Sequence, residues 1–410
     1  LCMIGTGYVG LVSGVCFSDL GNKVYCVDNN KTKINNLNQG KVPIYEPGLE
    51  EILKRNFKQK RLIFTTDLKD AVKKSDIIFI CVGTPTKKNS NSANLKYVFN
   101  VANQLKKIIS KYKIIITKST VPVTTGDKIQ NILKSLYKKN LVDVVSNPEF
   151  LREGFAWYDF NNTDKIVIGY ERLDDFKILK RIYSKFNGDI IGVNTNTSEF
   201  IKYLSNSLLA SLISFSNELT MLAEKQGDIN ILKAFDAVKL DKRWFGNPAT
   251  ISNYLHPGLG FGGYCLPKDL MALNFLAKKN KIFNGILEST NNVNKKITRF
   301  QTQKLFRKFN KKNQIAILGL SFKPNSDDLR GSKSVELINI LLKKGYNKIY
   351  TYDPFVGNEI NNIFGKKVIH SKRLKFDSQK KYLLCTAWKD YVNFVKKLDK
   401  NKYLDFRYVI

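Results

Sequence analysis

Short runs of consecutive apolar residues, each closed by a turn or capping signal, mark both ends of the chain. At the front these are 1–5 (LCMIG), 23–28 (KVYCVD), 76–82 (DIIFICV), 113–120 (KIIITKST), 142–148 (VDVVSNP) and 165–170 (KIVIGY). They are rich in β-branched residues and do not alternate with polar ones. A strand covered on both faces has this pattern, and helix-like stretches between the runs supply the cover. The rhythm predicts βαβ units and a parallel sheet. It returns in 313–322 (NQIAILGLSF), 348–354 (KIYTYDP), 367–370 (KVIH), 381–388 (KYLLCTAW) and 402–407 (KYLDFR), which predicts a second such sheet.

Between the two ends the period changes. Within 198–227, Ile201, Leu204, Leu208, Leu212, Phe215, Leu219 and Leu222 recur at three- or four-residue spacing. That spacing predicts one long helix with a single buried apolar face. Ser198 and Glu199 fit its start and Gly227 its stop. A helix this long suits a connector between domains and a dimer interface. The expected architecture is α/β: two Rossmann-like, doubly wound parallel-sheet domains joined by a long central helix. The segments are 1–195, 196–300 and 301–410. No short-period repeat is visible, but the two ends echo each other.

Composition changes this picture little. The 410 residues suffice for two or three cores, and 43% hydrophobic content is ordinary for a globular chain. No apolar run reaches the roughly 18 residues of a membrane span, and no secretory leader is recognisable, so the cytoplasm is the expected compartment. The chain opens at Leu1 almost on a strand, so a residue or more is expected ahead of it. The net charge of +33, from 68 Lys+Arg against 35 Asp+Glu, raises nucleic-acid binding. The lysines are spread evenly and no nucleic-acid motif accompanies them. Compositional drift together with an anionic small-molecule substrate is the better account.

The cysteines and histidines exclude more. There are six cysteines without a CxxC pair, and only His256 and His370. No zinc site and no Ser-His-Asp or Cys-His machinery is expected, and no metal at all. Four cysteines lie in apolar context and read as core. Cys265 does not: it sits in 257–270 (PGLGFGGYCLPKDL), among glycines that allow close backbone approach and beside Lys268 and Asp269. A thiol so placed could be a nucleophile once its pKa is lowered.

Other candidates follow strands. Gly5-x-Gly7-x-x-Gly10, with Tyr8 and Val9 inside it, directly follows the first run. The first glycine permits the tight turn, the second close approach to a pyrophosphate, and the third helix–strand packing. Asp28, about 20 residues on, is the expected acceptor for a ribose diol and favours NAD over NADP. Lys31 and Lys33 blur that preference. Thr84, in 83–86 (GTPT), and Thr120, in 119–122 (STVP), lie at strand C-terminal ends, where ligands bind in open parallel sheets. An ordinary Ser/Thr-capped turn reads equally well. The aperiodic 147–154 (NPEFLREG) presents Glu149, which could hold a proton or a water; the bland reading is a solvated loop with an internal Arg–Glu pair. Lys202 and Asn206, one turn apart on the long helix, could hold an alkoxide. Taken alone, Lys202 reads as an exposed lysine.

Together, GTGYVG, KSTVP, NPEFLREG, GFGGYCLPKD and GLSFKPNSDDLR resemble the nucleotide-sugar 6-dehydrogenases, in their UDP-glucose dehydrogenase branch. They stand in family order from residue 5 to 330, and YLDFR extends the match to Arg407. The resemblance implies an NAD-dependent four-electron oxidation of a sugar C6 alcohol to a carboxylate, with two NAD+ used in turn. Cys265 then matches the thiolate that forms a thioester. Lys202 and Asn206 match the pair holding the C6 oxygen. Asp269 and Thr120 match residues holding the hydrolytic water, and Glu149 a carboxylate assigned to hydrolysis. Phe150, Leu151 and Arg152 match the loop over the nucleotide sugar. Tyr254, Gly262, Lys323 and Arg407 match substrate contacts, Arg243 an arginine that reaches a neighbouring site, and Arg330 a cofactor contact. Gly5, Gly7, Tyr8, Val9, Gly10, Asp28, Lys33, Thr84 and Thr120 make up the rest of the cofactor set. UDP-glucose is the expected substrate and a homodimer or higher homo-oligomer the expected state. GDP-mannose or another nucleotide sugar is the alternative, and an inactive NAD- or nucleic-acid-binding scaffold a distant one. Thr163, Lys165 and Phe406 depart from the family pattern, and these departures are expected to lie apart from the catalytic set.

Overall fold

A computed structural model of the chain describes residues 1–410 apart from 45, 86, 88–91, 153, 154, 247, 248, 250, 252, 253, 255, 256, 264, 325 and 358. The side chains of 213, 217, 265, 268, 269, 272 and 273 also lie outside the described set. Contacts divide the chain into two units, Leu1–Ala210 and Ser211–Ile410.

The first unit holds strands β1 (Cys2–Ile4), β2 (Val24–Val27), β3 (Leu62–Thr65), β4 (Ile77–Ile80), β5 (Lys113–Thr117), β6 (Val142–Ser146), β7 (Lys165–Gly169) and β8 (Asp189–Val193). They form one sheet in the order β3-β2-β1-β4-β5-β6-β7-β8. One apolar cluster packs each face: Phe17, Leu53 and Phe79 lie in one, Ile78, Leu105 and Ile129 in the other. This two-sided burial is why the strands are apolar throughout. The expected all-parallel sheet needs one correction. β6 and β7 run antiparallel and meet only at Ser146 and Gly169, the last residue of each strand. The connection 147–164 carries the chain past the sheet end before β7 runs back to it. β8 carried no sequence signal because it is a half-exposed edge strand.

The second unit holds β9 (Gln314–Leu318), β10 (Ile349–Tyr352), β11 (Val368–Ser371), β12 (Lys380–Leu384) and β13 (Tyr403–Asp405), in the order β11-β10-β9-β12-β13. All four pairings are parallel. Its first turn repeats that of the first unit. Gly5 N–H donates to Val27 O at 2.7 Å, and Gly319 N–H donates to Tyr352 O at 2.8 Å. Both glycines have positive φ, +100° and +89°, where a side chain would strain the backbone. The acid at the end of the second strand is used differently in the two halves. Asp28 stands at the crevice. Asp353 is fully buried and accepts from the amides of Leu320, Ser321, Phe355 and Val356 and from the Ser321 hydroxyl. A carboxylate satisfied by five donors locks its turn.

The long helix spans Thr195–Gln226. Its apolar face departs from expectation. Leu222 is buried, but Leu204, Leu212 and Phe215 are 56%, 44% and 38% exposed. Buried Glu218, on the last third of the helix, accepts from the amides of Ile286 and Leu287 at 2.9 and 3.1 Å. It thereby caps the start of the helix Gly285–Lys308, whose first amides have no partner within the helix itself.

Asp353→Ala is expected to destabilise the second unit by about 3 kcal/mol, because several buried N–H groups lose their acceptor. Chemical denaturation of the variant beside the parent measures this.

Candidate functional site

The C-terminal ends of β1, β4, β5 and β6 carry the candidate residues of the first unit. Three glycines shape the first turn, each for a separate reason. A Cβ on Gly10 would meet the Gly5 carbonyl oxygen at 1.9 Å, so the helix Tyr8–Asp19 can approach the strand only there. A Cβ on Gly5 would meet the Cys81 carbonyl oxygen at 2.9 Å. Gly7 has nothing within 4 Å of such a Cβ; it faces open space at the helix N-terminus, where backbone amides and the helix dipole favour a phosphate. A crevice of about 790 Å³ is lined by Gly5, Gly7, Asp28, Lys33, Gly83, Pro85 and Tyr97, among others.

Asp28 Oδ2 accepts from Thr6 N at 3.0 Å, Thr6 Oγ1 at 2.8 Å and Lys33 Nζ at 2.9 Å. Oδ1 accepts from Asn30 N at 3.0 Å. Burial pushes the carboxyl pKa up, but the bonds from Lys33, Asn30 and Thr6 outweigh it and hold the group below the usual range. Asp28 is therefore a fixed anionic acceptor. An open backbone at Gly7 and a carboxylate at the second strand end fit the pyrophosphate and ribose of a dinucleotide. Val9 is half-buried beneath this turn.

The Thr84 and Ser119 hydroxyls are spent across the two loops rather than on capping their own turns; Thr86 lies outside the described residues. Thr84 Oγ1 donates to Thr120 O at 2.7 Å, and Ser119 Oγ to Val82 O at 2.6 Å. Each loop thus holds the other's backbone. Behind them, buried Glu199 of the long helix accepts from Gly126 N at 2.7 Å and Thr125 N at 3.3 Å. It caps the helix Thr125–Ile132 that follows KSTVP. Sequence reading had assigned Glu199 only to a helix start.

Glu149 and Lys202 come together. Lys202 Nζ lies 3.0 Å from Glu149 Oε1, with the two side chains only 8% and 13% exposed. Glu149 Oε2 accepts from Leu151 N at 2.7 Å. The Phe150 ring lies beneath two ammonium groups, 5.4 Å from Lys202 Nζ and 4.8 Å from Lys165 Nζ. Two expectations are corrected here. Lys202 is buried rather than solvated, because a carboxylate and a ring face receive its charge. Lys165 lies against the candidate loop rather than apart from it. Arg152 pairs with Asp159 through Nη2 at 2.6 Å; of the two glutamates in this stretch, Glu149 faces Lys202 and Glu153 lies outside the described residues. Tyr8 OH reaches Arg152 O at 3.0 Å and also the Glu46 carboxylate, which ties the glycine turn to the 147–152 loop. Asn206 is exposed one turn beyond Lys202.

In the second unit Cys265 is the first residue of the helix Cys265–Lys279. A helix N-terminus favours a thiolate. The Cys265 and Asp269 side chains themselves lie outside the described residues. The glycines before Cys265 are required by close packing. A Cβ on Gly262 would meet Gly331 O at 2.4 Å, and one on Gly263 the Phe322 ring at 2.9 Å. Gly263 N–H also donates to Arg330 O at 2.9 Å. The cysteine loop, Phe322–Lys323 and Arg330 are therefore neighbours. The Arg407 guanidinium passes against Gly258, where a Cβ would meet Nη1 at 2.7 Å. Lys323 is exposed above Phe322, 5.5 Å from its ring centroid. Arg330 pairs with Asp328 at 2.9 Å. Arg243 pairs with Asp241 and donates to Tyr254 OH at 3.2 Å. The other five cysteines are buried and form no disulfide. Among the described residues no cluster of His, Cys, Asp or Glu could hold a metal, and no helix is long and apolar enough to cross a membrane.

The first unit thus has the fold and crevice of a dinucleotide-dependent dehydrogenase. Comparison with known proteins narrows the class. Residues 1–187, 196–296 and 316–410 match the NAD binding, central and UDP binding domains of the UDP-glucose/GDP-mannose dehydrogenase family. The chain belongs to that family; its cofactor is NAD and its substrate a nucleotide sugar. It is 40% identical over 371 residues to a UDP-glucose 6-dehydrogenase of Bacillus subtilis, covering 90% of this chain and 78% of that one. A UDP-glucose 6-dehydrogenase of Rhizobium meliloti is 40% identical over 362 residues, covering 86% and 81%. Among solved structures, a ternary complex of GDP-mannose dehydrogenase from Pseudomonas aeruginosa superposes with a TM-score of 0.86 at 32% identity, over 99% of this chain and 95% of that one.

Glu199 gives the site a pH signature. Desolvation raises its carboxyl from an ordinary 4.5 to about 7, against the lowering effect of the Gly126 and Thr125 amides. The unfolded chain then releases this proton first, so folding stability falls as pH rises from about 4.5 to about 7. Across that window the parent is expected to lose up to about 3 kcal/mol from this group. Glu199→Gln should flatten the slope, as read from denaturation midpoints at a series of pH values.

Proposed function

We propose that this chain is a UDP-glucose 6-dehydrogenase, which oxidises the C6 alcohol of UDP-glucose to the carboxylate of UDP-glucuronate. The observation that carries the reading is the buried Glu149–Lys202 pair at the sheet end that also bears the dinucleotide crevice. The roughly 40% identity to UDP-glucose 6-dehydrogenases over most of the chain supports the choice of sugar. Gly5, Gly7, Tyr8, Val9, Gly10, Asp28, Lys33, Thr84, Thr120 and Arg330 would hold NAD, which when bound accepts one hydride in each of two oxidations.

The chain's own residues would act as follows. Lys202 and Asn206 hold the C6 oxygen and stabilise the negative charge left when the hydroxyl proton departs. The Cys265 thiolate adds to the C6 aldehyde, which makes a carbon–sulfur bond and keeps the intermediate from escaping. Loss of a second hydride from C6 turns this adduct into a thioester. Water, held by Asp269 and Thr120 and relieved of its proton by Glu149, attacks the thioester carbon. The carbon–sulfur bond breaks, and the carboxylate and the thiolate are released. Phe150, Leu151 and Arg152 cover the sugar, while Tyr254, Gly262, Lys323, Arg407 and Arg243 of a neighbouring copy clamp the diphosphate-linked base.

The same reading accounts for the exposed stripe of the long helix. Contiguous exposed apolar side chains mark an association surface, and a second copy of this chain would cover Leu204, Leu212 and Phe215. The three segments 1–195, 196–300 and 301–410 would then serve cofactor binding, dimerisation with the cysteine loop, and sugar-nucleotide binding. The expected compartment is the cytoplasm.

The test is NADH yield per sugar with a panel of nucleotide sugars. Two NADH per UDP-glucose, with little turnover of GDP-mannose, is expected; preference for GDP-mannose would overturn the choice of substrate. Lys202→Ala is expected to slow the first oxidation by about two to three orders of magnitude. Cys265→Ser should bind NAD normally yet fail to release UDP-glucuronate; full turnover to the acid by that variant would rule out the thioester route.

A further inference from the structure

Lys118 opens the KSTVP stretch and is 3% exposed. Nothing in the proposed chemistry uses it. A buried lysine is costly unless its charge is received, and among the described residues no carboxylate bonds to it. Nζ donates to Asn147 Oδ1 at 3.0 Å and lies 3.4 Å from Tyr183 OH. It also faces the rings of Phe160 and Tyr183, at 5.7 and 5.9 Å. Asn147 is held on its other side too: its N–H donates to Thr117 O at 2.9 Å and its Nδ2 to Val167 O at 2.8 Å. Asn147 begins the segment that ends at Arg152, and Glu149 lies two residues on. Lys118, Asn147, Glu149, Phe150 and Lys165 line one small pocket of about 30 Å³, room for about one water.

We propose that Lys118 is a positioning residue for the Glu149–Lys202 pair, holding the 147–152 segment through Asn147. The inference rests on the reaction proposed above. The groups facing Lys118 come from six places: Cys16 on the helix Tyr8–Asp19, Cys81 after β4, Glu149 in the loop, Lys165 on β7, Tyr183 on the helix Leu173–Tyr183, and Lys202 on the long helix. Of these, Glu149 is the carboxylate. Burial lowers the Lys118 pKa to about 8, and the nearby Glu149 carboxylate opposes that fall.

The experiment measures kcat with UDP-glucose and the KM for NAD in the parent, Lys118→Met, Lys118→Arg and Tyr183→Phe. Without the donor that holds Asn147 Oδ1 the 147–152 segment is free to shift, so Lys118→Met should lower kcat by about tenfold with the KM for NAD unchanged. Lys118→Arg, which keeps a buried cationic donor, should restore most of the rate. Tyr183→Phe, which removes the other donor to Asn147 Oδ1, should lower kcat by a smaller factor and gives the answer if Lys118→Met does not fold. An unchanged kcat in Lys118→Met, or a fall that Lys118→Arg does not restore, would overturn the inference. A parent that does not oxidise any nucleotide sugar would instead overturn the function on which it rests.

Discussion

Lys202 and Glu149 are nearly dry and 3.0 Å apart, and the rest of the first unit's arrangement follows from keeping them so. Removing one partner of such a pair leaves an uncompensated buried charge, which is far worse than never having buried either. The long helix and the loop after β6 are therefore fixed to each other. The helix is fixed in turn one turn earlier, where Glu199 caps the helix after KSTVP. The loop is fixed from below through Asn147. Four segments distant in sequence thus share one set of ion-paired and hydrogen-bonded contacts at the end of one sheet, beside the dinucleotide crevice.

The two sheets show how one design serves two purposes. Both begin with a strand, a glycine at positive φ and an acid at the end of the next strand. In the first unit the acid has one face on the crevice. In the second the equivalent acid turns inward, and its oxygens are consumed by the turn itself. A carboxylate saturated by five donors has little left for a ribose. The fold is retained while this part of the binding chemistry is lost, as expected where function resides in particular side chains rather than in the fold.

Much of this was legible in the sequence. Eleven of the strands coincide with apolar runs, because strands buried on both faces have no choice but to be apolar. The glycine turn and Asp28 were legible because the steric demand at Gly10 and the charge at the strand end each admit few residues. β8 was not legible: a half-exposed edge strand has neither a continuous apolar run nor a clean alternation. The antiparallel meeting of β6 and β7 was missed because direction depends on where a long loop exits, which no local pattern records. The stripe on the long helix was legible but not its cover, because periodicity shows that a stripe will be covered and not what covers it. Lys202 looked like surface because its partner stands 53 positions away, in a loop with no period. Lys118 was overlooked for a related reason: a lysine inside an apolar strand end reads as an exception until the ring faces and the amide oxygen around it are seen.

One contact has a consequence for how such a protein can change over generations. Tyr8, the first residue after the glycine turn to enter its helix, reaches the backbone oxygen of Arg152 in the other loop. The turn that would meet the cofactor and the loop that would meet the sugar are thus mounted on one hinge pin. A replacement that re-aims either loop also disturbs the other, so a drift in sugar preference has to be accompanied by compensating change near the nucleotide. New specificities are then more accessible through the separate, second unit than through this one.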